Sequence, residues 1–381
     1  MAVFRDAVPR GFRAKLYELN WALVLLLVLL GCAGIGMLYS VGEGSWDPWA
    51  IRHATRFALG MSMMLVVALF PPRFWMGMAY PIYLGALGLL VGVELFGLTI
   101  QGAQRWIDIG PIRMQPSEIM KVAVVLALAR FYHDLPADKV NGPFGLLTPL
   151  FLIGAPAALI LHQPDLGTTV LLVASGAVIV FLSGLSWKII AAGAGAAAVG
   201  IPLFLRFGLE DYQRARIMTF LNPEADPMGA GYHILQSKIA LGSGGFTGRG
   251  YMEGTQSHLN YLPEKQTDFI FTMLGEEFGF VGGIVILLIY ALVLANAVAI
   301  ATSCKSKFLR LTVMGIATTF ALYVFINTGM VTGMLPVVGV PLPLISYGGT
   351  VMMTVLFGFG LILGAHIHRH AEPPQGAGLF G

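Results

Sequence analysis

The chain has 381 residues, 56% hydrophobic and only 11% charged, whereas soluble domains carry roughly 25% charged residues, so an ordinary water-soluble fold is excluded. Its net charge of +3 comes without a basic cluster interleaved with aromatics, which argues against a nucleic-acid partner. Two cysteines, Cys32 and Cys304, do not make a disulfide framework.

In chain order, the N-terminal segment carries Arg5, Arg10, Arg13 and Lys15 before an apolar run opens at Trp21. That run is too long for a signal-peptide core and more apolar segments follow, so it reads as an uncleaved first span. Runs of about 17 to 25 apolar residues can cross a bilayer as helices, whose backbone polar groups satisfy one another. Ten such runs lie near residues 21–41, 52–70, 76–99, 116–133, 147–162, 166–183, 187–207, 269–301, 309–332 and 346–368. The expectation is an all-α membrane protein: a polytopic bundle of about ten transmembrane helices, with one large extracytoplasmic loop between the seventh and eighth. One domain covers 1–370, and 371–381 reads as a flexible C-terminal tail.

With the N-terminus in the cytoplasm, ten spans return the C-terminus to the same side. Cytoplasmic segments then collect Arg5, Arg10, Arg13, Lys15, Arg73, Arg130, Lys139, Lys188, Lys305, Lys307, Arg310 and Arg369. The short outer loops hold only Arg52, Arg56, Arg105 and Arg113, as the positive-inside rule requires. The connection at about 208–268 is far longer than the others and holds Arg214, Arg216, Lys238, Arg249 and Lys265 against that bias, which suggests an anion outside the membrane. The Gly- and Ala-rich stretch 191–200 predicts close approach of the seventh span to a neighbour. No paired interrupted helices mark two halves, which counts against a transporter.

Several residues could carry chemistry. Asp268 falls near the start of the eighth span at its outer end, where a carboxylate can cap a helix or act on substrate. Thr267 is the expected N-cap. Glu118 and Lys121, three apart at the outer end of the fourth span, share a face and can lock two helices or line a site; Lys121 could instead reach Asp268. Arg105 and Trp106, in a short outer loop, are an aromatic-belt anchor with a cation, or a phosphate contact beside a sugar-stacking ring. Asp165 in HQPDLGT suits a helix cap or a second carboxylate. His258 is an ordinary loop histidine or a substrate contact. Glu276 and Glu277 lie deeper, where buried structural pairing accounts for them best. No HExxH, paired CxxC, Walker loop or GxSxG elbow occurs, so zinc hydrolysis, nucleotide use and serine-hydrolase chemistry lack support.

Five segments taken together resemble the SEDS family (shape, elongation, division and sporulation): RWIDIGPIRMQPSEIMK at 105–121, QPDLGTT at 163–169, YQRARIMTFLNPEADPMGAGYHILQSKIALGSGGFTGRG at 212–250, GTQSHLNYLPEKQTDFIF at 254–271 and LPVVGVPLPLISYGGT at 335–350. The fourth and fifth are most similar to the elongation branch; the division branch is the alternative. The resemblance implies a peptidoglycan glycosyltransferase of the bacterial inner membrane, polymerising lipid II at the periplasmic face for elongation and rod shape, with a class B penicillin-binding protein as partner. It implies that Asp268 is the essential aspartate, the general base for an inverting transfer that releases undecaprenyl pyrophosphate. Glu118 and Lys121 match the family's charged pair, and Trp106 its interfacial tryptophan. Lys121, Arg105, Arg214 and Arg216 are then candidates to hold the pyrophosphate. No cofactor is required; a divalent cation could assist. A lipid II flippase is the competing function, and a scaffold for wall enzymes a third.

Overall fold

The computed structural model describes residues 11–100, 103–109, 112–207, 218–219, 230–255 and 264–372. A short α1 (Phe12–Tyr17) leads into α2 (Trp21–Val41), α3 (Ala50–Leu69) and α4 (Pro72–Phe96). Strands β1 (Leu98–Ile100), β2 (Ala103–Ile109) and β3 (Ile112–Met114) follow, then α5 (Pro116–Asp134), α6 (Pro143–His162), α7 (Leu166–Leu182) and α8 (Trp187–Phe207). The chain ends with α9 (Ala230–Ser243), α10 (Ile270–Ser303), α11 (Lys307–Val331) and α12 (Gly349–Ile367). Each predicted apolar run coincides with one helix. Six of them (α2, α4, α6, α10, α11 and α12) are long and apolar enough to cross a membrane by length and composition.

Local chemistry sets the starts. Asn20 caps α2 through a bond from the Leu23 N–H at 3.0 Å. Pro72, Pro116 and Pro143 open α4, α5 and α6, where the missing N–H costs nothing. Helix α5 is enclosed on every face, packing against α4, α6, α7, α11 and α12, so its polar residues must find partners inside the protein. Helices α3 and α12 pack closely because Gly60 and Gly360 face Leu356 and Val67 with no side chain between.

Three expectations change. The fold is not purely helical: strands β1, β2 and β3 form an antiparallel sheet in that order, where Ile107 opposes Met114 and Asp108 opposes Arg113. The Gly- and Ala-rich seventh span, α8, does not use its small residues for packing: nothing lies within 4 Å of a Cβ built at Gly193, Gly195 or Gly200. The long connection contains α9, packed on α10 and α11. The eighth span begins later than expected, with Phe269 as N-cap and Thr267 bonded to Glu264, so Asp268 sits on a turn ahead of the helix.

Helix α10 is also interrupted. Gly279 adopts φ 65°, ψ −162°, and the backbone groups this frees are taken up by residues 245–250. Arg249 and Gly250 N–H donate to the Glu276 and Glu277 carbonyls at 3.0 and 3.1 Å, and Phe280 and Val281 N–H donate to the Gly245 and Phe246 carbonyls at 3.0 and 3.1 Å. The approach is so close that a Cβ on Gly279 would lie 2.3 Å from the Gly248 nitrogen. A Gly279→Ala variant is expected to lose about 2 kcal/mol or more, from a strained φ and a backbone clash. The check is a lowered melting temperature with faster proteolysis around 244–255; an unchanged melt would mean the junction is not rigid.

Candidate functional site

A buried pair of opposite charges lies on α5. Lys121 and Glu118 are 2% and 4% exposed, and the Lys121 ammonium donates to Glu118 Oε1 at 2.7 Å. Spacing of three on a helix puts both on one face. From α11, the Tyr323 hydroxyl donates to Glu118 Oε2 at 2.6 Å and accepts from Lys121, whose ammonium also lies 4.4 Å from the Tyr323 ring centre. Thr354 of α12 reaches Glu118 Oε2 at 3.4 Å. Three helices thus meet at one ion pair. It borders a cavity of about 30 Å³, otherwise lined mainly by apolar groups such as Val125, Phe320 and Phe359 and suited to water-sized occupants.

One turn further along α11, at the i+4 position from Tyr323, stands Asn327. Its amide donates to the Asp268 carbonyl at 2.9 Å and to the Val340 carbonyl at 2.7 Å. The Asp268 turn is held from its other side by the segment before α12: Ser346 Oγ donates to the Thr267 carbonyl at 2.6 Å, and the Tyr347 N–H to the Gln266 carbonyl at 2.8 Å. That segment is itself pinned, by the Tyr290 hydroxyl on the Pro343 carbonyl at 2.5 Å and by His53 Nε2 on the Leu344 carbonyl at 3.1 Å. Asp268 is partly exposed, and its Oδ2 lies 3.5 Å from where a Cβ on Gly339 would sit, so a bare glycine flanks the carboxylate. The turn also carries Lys265, which is 5% exposed. Burial pulls its ammonium below the usual lysine range, and Glu43 partly opposes this.

Asp165 is the N-cap of α7: its Oδ1 accepts from the Thr168 N–H at 3.1 Å, and its Oδ2 from the Thr168 hydroxyl at 2.9 Å and the Gln115 amide at 3.0 Å. It also lies within electrostatic reach of the Tyr323 hydroxyl. Arg105 donates to the Gln163 carbonyl at 3.1 Å and to the Pro164 carbonyl, tying β2 to the turn before α7. Arg105 falls where the register between β1 and β2 shifts, since Leu98 pairs with Trp106 and Thr99 with Gln104. Glu277 accepts from the Ser40 hydroxyl at 2.5 Å and the Met252 N–H at 3.3 Å, and Glu276 from the Thr255 hydroxyl at 3.0 Å, which ties α10 to α2 and to the long connection. Arg214, Arg216 and His258 lie outside the described residues.

The structure adds residues that sequence reading passed over. Tyr323 and Asn327 carry no charge and so drew no notice. Arg56 was counted only as an outer-loop cation, yet its guanidinium lies 5.2 Å from the Tyr347 ring centre, beside the segment that clamps the Asp268 turn. Among the described residues, no three His, Cys, Asp or Glu side chains gather as a metal site.

A family model named FTSW_RODA_SPOVE, described as cell cycle protein, matches residues 16–371. The chain is 47% identical over 352 residues to the peptidoglycan glycosyltransferase MrdB of Escherichia coli (strain K12), covering 91% of this chain and 93% of that one. It is 35% identical over 371 residues to the probable peptidoglycan glycosyltransferase FtsW of Trichlorobacter lovleyi, covering 94% and 95%. Among solved structures, it is similar to a chain from "Structural coordination of polymerization and crosslinking by a peptidoglycan synthase complex", with TM-score 0.81, 32% identity and coverage of 92% and 98%. It is also similar to the Thermus thermophilus rod shape determining protein RodA, with TM-score 0.70, 29% identity and coverage of 93% and 98%.

Removing one partner of the buried pair strands the other charge. Lys121→Met is expected to cost roughly 3–5 kcal/mol, and Glu118→Gln with Lys121→Met together clearly less than the sum of the two single changes. Thermal unfolding of the four proteins in one detergent tests this; strictly additive losses would show that the two side chains do not act as a unit.

Proposed function

The chain belongs to the FTSW_RODA_SPOVE cell cycle protein family, and on that premise we propose that it polymerises lipid II into glycan strands at the outer face of the membrane, with Asp268 as general base. It is a peptidoglycan glycosyltransferase, a multi-pass protein of the inner membrane. The higher identity to MrdB than to FtsW and the likeness to RodA favour elongation over division. Six of the described helices are long and apolar enough to span a membrane; the reading of ten spans with both termini in the cytoplasm rests on the charge distribution of the loops and has Asp268 face the periplasm.

The observation that carries the mechanism is the fixing of Asp268. The backbone of its turn is gripped by Asn327, Ser346 and Tyr347, so the position from which the carboxylate projects is set before substrate arrives. The acceptor sugar's 4-hydroxyl attacks C1 of the donor sugar, its proton passes to Asp268, and the C1–O bond to the pyrophosphate breaks with inversion. A sugar hydroxyl is a poor nucleophile at neutral pH, so a positioned base is worth about 10² to 10⁴ in rate. Lys265 on the Asp268 turn, Arg56 beside Tyr347, Lys121 and Arg105 are described cations that could favour the leaving pyrophosphate, and Arg214 and Arg216 of the long connection are further candidates by sequence. Glu118 and Asp165 set the charge balance of the pocket, and Trp106 and His258 are candidate sugar contacts. Asp165 acts chiefly through α7, since its carboxylate already accepts three bonds. No step assigned to these side chains needs a cofactor, though a divalent cation on the pyrophosphate would assist departure.

The solved neighbour from a synthase complex that coordinates polymerisation with crosslinking supports a crosslinking partner, which we read as a class B penicillin-binding protein. The test uses purified protein with that partner, its transpeptidase site blocked, and labelled lipid II. Asp268→Asn keeps a hydrogen-bonding group and removes the base, so strand formation is expected to fall at least about a hundredfold in a folded variant. Strands from both proteins would acquit Asp268 as base; lipid II transfer across vesicles without strands from either would favour a flippase.

A further inference from the structure

A second polar site lies at the opposite end of the bundle. Helix α11 starts at Lys307 and reaches Asn327, which holds the Asp268 turn, about 30 Å later at 1.5 Å per residue, which is close to the thickness of a bilayer's hydrocarbon core. Between the C-terminal end of α5 and the turn joining α10 to α11 is a cavity of about 240 Å³, whose polar lining is His133, Lys305, Ser306, Lys307 and Glu372. The turn is anchored by the Lys305 N–H on the Arg369 carbonyl at 2.9 Å.

Ser306 is the N-cap of α11, yet its side chain makes no capping bond. The residue is only 3% exposed, and its hydroxyl has no hydrogen-bond partner among the described residues. A buried hydroxyl is almost always bonded, so this one points to a ligand. Around it, the first N–H groups of α11 have no partner within their own helix and form the positive end of its dipole. Lys305 and Lys307 add two ammonium groups, with Arg310 one turn from Ser306 and the exposed Glu372 as the single opposing carboxylate. Fixed N–H donors, a hydroxyl and two lysines are the recognition chemistry of a phosphate group. The space falls short of the roughly 300–1,000 Å³ typical of drug-sized ligands, so the occupant is small.

We propose that this cavity binds a phosphate group, offered by the headgroup of an anionic phospholipid or by a soluble phosphate. The site is separate from Asp268 and does not depend on the glycosyltransferase reading. Lys305, Ser306 and Lys307 are its ligands.

The experiment is native mass spectrometry of the full-length protein in detergent with phosphatidylglycerol, phosphatidylcholine or inorganic phosphate. Lys305→Gln with Lys307→Gln, and separately Ser306→Ala, are the variants, each checked for an unchanged melting temperature or, for Ser306→Ala, a raised one. The expected result is phosphatidylglycerol retained about tenfold better than phosphatidylcholine, a preference lost in the double variant and weakened in Ser306→Ala. Inorganic phosphate bound with the same dependence on both lysines, and phosphatidylglycerol not, would keep the site and make its ligand soluble. Equal retention of both lipids without phosphate binding, or binding unchanged in the double variant, would overturn the assignment.

Discussion

The Glu118–Lys121 pair is the constraint to which the rest of the structure answers. Two charges inside an apolar bundle are tolerated only when their remaining hydrogen-bonding capacity is met, and α5 alone cannot meet it. Tyr323 completes the pair from α11 and Thr354 approaches from α12, which fixes the mutual rotation of three helices. Once α11 is held in that rotation, Asn327, one turn away on the same face, necessarily points at the Asp268 turn. The buried pair and the candidate base are therefore parts of one arrangement joined by a single helix face. This gives the family's charged pair a physical task even where it does not itself touch a sugar.

Much of this was legible in the sequence because hydropathy reports directly on helices that must satisfy their own backbone. The apolar runs at 21–41 and 269–301, for example, match α2 and α10 closely. The ionisable pair on α5 was legible for the same reason: charge in an apolar run stands out. What stayed hidden was whatever looks ordinary in one dimension. The strands at 98–114 are only three to seven residues long, too short for an alternation pattern to show. Tyr323 and Asn327 carry no charge, and their roles depend on helix rotation. The glycines and alanines of α8 say how closely that helix could pack, and composition cannot say whether a neighbour is there. Gly279 sits among other glycines of α10, and nothing local distinguishes the one that breaks the helix.

The two ends of α11 divide the protein's polar chemistry. At one end amide and hydroxyl groups hold the backbone of the turn that carries a partly exposed carboxylate, an arrangement suited to removing a proton. At the other, two lysines and a serine hydroxyl line a cavity at the start of the helix, an arrangement suited to receiving negative charge. The charges that α5 and α10 carry within the bundle, Glu118, Lys121, Glu276 and Glu277, are all buried, so among the described residues they present no row of exposed charges.

The break at Gly279 alters how the 34 residues of α10 should be measured. As one rod they would extend about 51 Å, well beyond a hydrocarbon core of about 30 Å. The residues after the break extend about 36 Å and are a sufficient membrane ruler by themselves. The residues before it form a separate short pedestal, seated on the glycine-rich turn at 244–250, with the Asp268 turn at its top. The set of that platform against the span after the break therefore depends on how closely the glycine-rich turn can approach, and a single added methyl group at Gly279, 2.3 Å from the Gly248 nitrogen, would push the two apart without touching the chemistry.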